Sequence, residues 1–147
     1  MYMEDSCLVY HESVRVPMFH ASYEVIVGSR LADCLTHVSS LCGGVKLMKD
    51  GEPANIPGYS CVVSGQKVGK CFYVMIALDD VYEIGFPPVS STIIHEATHL
   101  SWFILDGLGI RVNAENHEVQ CYMMEHLVSD ITRIVESTKD KMSLENL

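Results

Sequence analysis

The sequence predicts an α+β domain, and three observations carry that prediction. Residues 71–78, Cys-Phe-Tyr-Val-Met-Ile-Ala-Leu, form an unbroken apolar run with β-branched and aromatic side chains, as in a strand buried on both faces. Residues 90–106 segregate apolar and polar side chains with a helical period, enter from Pro87-Pro88 and stop at Gly107. Residues 113–136 repeat that period in a longer helix, so strand patterns gather early and the long helices late.

The remaining elements are shorter. Residues 7–16 and 22–27 read as two strands separated by Pro17. A first helix follows, with Leu31, Leu35, Val38 and Leu41 on one face, Ser29 as its expected cap and Gly43-Gly44 as its stop. Residues 43–70 are rich in turn-forming clusters, with one brief strand at 59–63. Ser90 or Ser91 can accept from the free amides opening the second helix, and Asn113 can cap the last one, whose first turn suits Ala114 and Glu115. Residues 137–147 are expected to fray, and the whole of 1–147 to form one domain.

A net charge of −9 with scattered Lys and Arg offers no basic face for a phosphate backbone, which argues against nucleic acid and anionic membrane partners. A neutral or basic polypeptide is the better match. The acidic start, Met1-Tyr2-Met3-Glu4-Asp5, leads into no secretory-type apolar run, and 71–78 is too short to span a bilayer, so the expected location is the cytoplasm, that of a host if the protein is viral. The six cysteines lack Cys-x-x-Cys spacing and sit mostly in apolar segments, as buried reduced thiols do.

The chemistry concentrates in His95-Glu96-Ala97-Thr98-His99. Two residues four apart on a helix lie about 40° apart on its wheel, so both imidazoles can reach one ion. Glu96, one position on, stands beside that ion without having to ligate it, where a base for an activated water belongs. Ser91, His99, Trp102 and Asp106 share the His95 side of the wheel, and Ile93, Ala97, Leu100 and Ile104 gather opposite. One side is built to pack and the other to face a site.

A catalytic zinc ordinarily has three protein ligands and one open position. The third candidate is Glu118, near the start of the last helix. A helix extending about 10 Å past His99, followed by one reaching Glu118 about 7 Å after Asn113, would bring Glu118 back to the histidines. His117 competes for the role, about 100° away on the wheel. Glu118 shares its side with Tyr122, Glu125 and Ser129, whereas Met123, Leu127, Ile131 and Ile134 form the packing stripe.

With this motif on one helix and a glutamate on the next, residues 90–128 resemble the zincin superfamily in its gluzincin arrangement. They are similar to small zincin-like proteins of bacteriophages and to the compact ImmA/IrrE-like and SprT-like metallopeptidases. The segment lacks the third histidine of metzincins and the basic region of DNA-associated SprT-like proteins, so those two groups are set aside. The resemblance implies a compact zincin-like domain, with a mixed β-sheet packed against an active-site helix and a returning helix. It also implies an edge strand that pairs with extended substrate, a role open to residues 71–78 or 81–84.

The expected activity is therefore that of a small zinc metallopeptidase: Glu96 takes a proton from a zinc-activated water and returns it to the leaving amine. Tyr122, His126 and His117 are candidates to steady the tetrahedral intermediate, and Trp102 to wall the pocket or meet substrate. The rival expectation is a zinc-stabilised, non-catalytic module that binds or inhibits a protein partner. Glu96 argues against it, because a purely structural site needs no base.

Overall fold

The computed structural model describes residues 9–48, 56–65, 69–79 and 89–145. Among the described residues, four strands, β1 (Val9–Val16), β2 (Ala21–Gly28), β3 (Gly58–Gly65) and β4 (Gly69–Ala77), and three helices, α1 (Leu31–Leu41), α2 (Val89–Gly107) and α3 (Glu118–Glu145), make up an α+β fold. The strands form one mixed sheet in the order β1-β2-β4-β3, with β2 parallel to β4 and the other neighbours antiparallel. A parallel pair needs a crossover, and the chain makes it through α1 before returning by the β3–β4 hairpin. None of the described helices is long and apolar enough to cross a membrane.

The strand period of two divides the core between the two faces of the sheet. Val25 and Val27 of β2, with Phe72, Val74 and Ile76 of β4, face α2 and α3. Ile26, Tyr73, Met75 and Ala77 point the other way, onto Leu31, Cys34 and Val38 of α1. The apolar run in β4 thus serves both cores, which is why it shows no alternation. On the α1 face, burial pushes the Cys61 thiol up to about 12, so it stays protonated, and the described cysteines are free thiols.

Three expectations are corrected at element ends. Ser29 does not cap α1; Arg30 occupies that position and makes no side-chain cap bond, while Gly43 and Gly44 stop the helix at positive φ. Asn113 does not cap α3 itself but bonds reciprocally with Asn116: its Oδ1 accepts from the Asn116 amide at 3.1 Å, and Asn116 Oδ1 accepts from the Asn113 amide at 2.7 Å. The bonds organise a turn at 114–117, so the long helix opens only at Glu118. At its far end α3 runs to Glu145 instead of fraying after Glu136. Thr138 is buried, Met142 packs on the core, and the Tyr10 hydroxyl donates to Glu145 Oε1 at 2.8 Å. Tertiary contact with β1 supplies what local propensity lacks.

Truncation after Glu136 tests this docking. It should lower the thermal midpoint by roughly 5 °C or more, through lost burial and the lost tie to β1. An unchanged midpoint would mean that 137–145 contributes nothing.

Candidate metal centre

Helix α2 is the element on which the site is built, and its two sides behave as their sequence periodicity predicts. Ile93, Ala97, Leu100 and Ile104 are buried against the sheet and α3, whereas Ser91, His95, His99, Trp102 and Asp106 are exposed. The packing stripe fixes the rotation of the helix, and that rotation turns both histidines outward together.

His95 Nε2 and His99 Nε2 lie 3.2 Å apart, with ring centroids 4.9 Å apart and planes at 70°. His99 also stacks on Phe103, one turn further on, at 6.4 Å between centroids. At the usual Zn–N distance of about 2.0–2.1 Å, nitrogens 3.2 Å apart subtend roughly 100° at a shared ion, close to the tetrahedral angle. By donor chemistry and by spacing, the pair suits a zinc ion.

Glu96 is the anomaly on the packing side: it is only 6% exposed and carries a carboxylate. Ser60 of β3 explains how it is held. The Ser60 hydroxyl donates to Glu96 Oε2 at 2.7 Å and also lies 3.1 Å from the Glu96 main-chain carbonyl oxygen. The other oxygen, Oε1, is 3.9 Å from His95 Nε2. One carboxylate oxygen is thus anchored to the sheet while its partner lies on the side of His95. Burial pushes the Glu96 carboxyl above its ordinary value, and the Ser60 hydrogen bond and the neighbouring His95 and His99 pull it back.

The close approach of β3 to α2 rests on Gly58. A β-carbon there would lie 2.8 Å from Glu96 Cγ and 3.1 Å from both Thr92 Cγ2 and the Met75 carbonyl oxygen. Between residues 56–58 and the first turns of α2 opens a cleft of about 410 Å³, reached by Ser91, Thr92, His95 and Glu96. Glu96 and His95 form part of its wall.

The expected third ligand is not gathered with the pair. Among the described residues, three potential ligands come within 4.8 Å of one another at His117, Glu118 and Cys121, all exposed, and Glu118 belongs to that group instead of one with His95 and His99. The nearby contact between the helices is made by Gln120, whose Nε2 donates to Ser101 Oγ at 3.1 Å, and Glu118 lies about 160° from Gln120 on the helix wheel. No hydrogen bond or ring contact joins Trp102, Tyr122 or His126 to the pair among the described residues; Trp102 and Tyr122 are exposed and His126 half-buried. Sequence reading missed Ser60 and Gly58. Ser60 is 36 residues from Glu96 with no motif to link them, and Gly58 reads as an ordinary turn residue in Ile56-Pro57-Gly58.

Comparison with protein-family models, with curated proteins and with solved structures gave no match to this chain.

Two substitutions test how Glu96 is held. Ser60→Ala leaves a buried carboxylate without its donor and should cost roughly 1–3 kcal/mol in urea unfolding. Gly58→Ala should cost a comparable amount, roughly 1–3 kcal/mol, by forcing β3 away from α2. Wild-type stability in both variants would mean that Glu96 does not depend on β3.

Proposed function

We propose that this protein is a zinc-dependent hydrolase of the metallopeptidase class, with His95 and His99 as zinc ligands and Glu96 as general base. The single observation that carries the reading is the combination of two converging imidazoles with a buried carboxylate whose free oxygen lies on the side of His95. A metal that only fastened two helices would have no use for a carboxylate buried at this cost. Glu118, which opens α3, and His117 just before it are the sequence's candidates for a third ligand, and both group with Cys121 apart from the pair.

A zinc ion bound there supplies a Lewis acid that acidifies water and polarises a substrate carbonyl. The chain's own residues divide the rest of the work. Ser60 fixes Glu96 Oε2, which leaves Oε1 to take a proton from the attacking water and deliver it to the leaving amine. The exposed positions of His95 and His99 leave the approach open for a chain as bulky as a polypeptide.

The strand that would receive an extended substrate is β3. Residues 71–78, expected for this role, fall largely in β4, which lies between β2 and β3 and is paired on both sides over Tyr73–Ile76; residues 81–84 lie outside the described residues. β3 is an outer strand and carries Ser60, so a peptide added to it would run beside Glu96.

A second reading, a zinc-stabilised module that binds a protein partner without catalysis, draws support from the grouping of Glu118 with His117 and Cys121. Metal content and cleavage of a peptide library separate the two. Wild type should bind zinc and cleave; Glu96→Gln should keep the zinc and lose at least about 100-fold in rate. His95→Ala or His99→Ala should lose zinc at this site. Zinc binding without cleavage by wild type would favour the non-catalytic module, and loss of zinc in His117→Ala but not in Glu118→Ala would make His117 the third ligand.

A further inference from the structure

A second histidine pair lies on the opposite face of the sheet, where α1 packs. His11 of β1 places Nδ1 3.1 Å from Nε2 of His37 on α1, with ring centroids 5.2 Å apart and planes at 88°. The nitrogen separation matches that of His95 and His99 to 0.1 Å, although this pair comes from two different elements, 26 residues apart. It also has a carboxylate, differently placed. Glu24 Oε2 lies 2.9 Å from His11 Nε2, the nitrogen facing away from His37. Ser13, directly across the ladder from Glu24, donates its hydroxyl to the same oxygen.

The tautomer of His11 that donates from Nε2 to Glu24 presents the Nδ1 lone pair on the side of His37. With His37 protonated at Nδ1, both facing nitrogens are free to act as donors to an ion, and one about 2.0–2.1 Å from each would again see them at roughly 100°. A carboxylate on the far nitrogen is the usual support of a metal-bound histidine. His11 and Glu24 have about a quarter of their side chains exposed, at 28% and 27%, so water can complete the coordination.

We propose that His11 and His37, oriented by Glu24 and Ser13, form a second binding site for a divalent transition metal such as zinc, which clamps α1 to the β1–β2 edge of the sheet. Its chemistry differs from that at His95 and His99. There the carboxylate has an oxygen free on the side of His95 and can act as a base, whereas Glu24 is spent on orienting a ligand. The second site is therefore structural.

The test uses the full chain carrying His95→Ala/His99→Ala, so that it is independent of the reading given to that pair. Zinc is titrated while heat of binding and the imidazole NMR signals of His11 and His37 are followed. The proposal expects both imidazoles to shift on binding and the thermal midpoint to rise with zinc. It expects affinity to fall at least about 10-fold with added His37→Gln and about 10- to 100-fold with Glu24→Gln. His37→Gln, on the half-buried outer part of α1, is the main variant because it removes no strand residue; its unfolding midpoint without metal checks that the fold is intact. Unperturbed imidazoles, or zinc affinity indifferent to His37→Gln in a folded variant, would overturn the proposal and leave the 3.1 Å contact as a hydrogen bond.

Discussion

The hydrogen bond from Ser60 to Glu96 is the constraint on which the candidate centre depends. A carboxylate on the packing side of a helix is costly in an apolar core, and it is tolerated here because β3 brings a hydroxyl to it. That approach requires a glycine at position 58, since any side chain there would strike Glu96 or Thr92. With α2 held at this distance, its rotation follows from Ile93, Ala97, Leu100 and Ile104 packing below, and His95 and His99 emerge on the outer side. Sheet edge, helix rotation and histidine pair form one linked arrangement.

The sheet separates two kinds of histidine pair. On one face, His95 and His99 stand on a single helix and owe their convergence to the four-residue period. On the other, His11 and His37 converge only because β1, β2 and α1 are assembled, so their geometry reports tertiary structure. The position of the glutamate separates the chemistry: Glu96 keeps an oxygen free on the side of His95, and Glu24 backs one ring from behind.

How much of this was legible in the sequence follows from the range of the interactions. The wheel of α2, the packing stripe Met123, Leu127, Ile131 and Ile134, and the doubly buried strand at 71–78 are local patterns, and each appears in the fold as expected. Ser60, Gly58 and the His11–His37–Glu24 cluster were not legible, because their partners lie far along the chain and nothing in their spacing signals contact. The extension of α3 to Glu145 was hidden for the same reason: a polar, weakly patterned segment is held by Tyr10 and the core instead of by its own propensity. The turn at 114–117 delayed the last helix by one turn and set Glu118 at its first position beside His117 and Cys121, a local detail that helix arithmetic from Asn113 could not supply.

The most direct test of the central claim is X-ray absorption at the zinc edge of the protein loaded with one equivalent of zinc, in a His37→Gln background that silences the pair on the α1 face. The account predicts a first shell of nitrogen and oxygen at about 2.0–2.1 Å with the multiple-scattering signature of two imidazoles. A sulfur shell at about 2.3 Å would place the ion with Cys121, His117 and Glu118 and contradict the account.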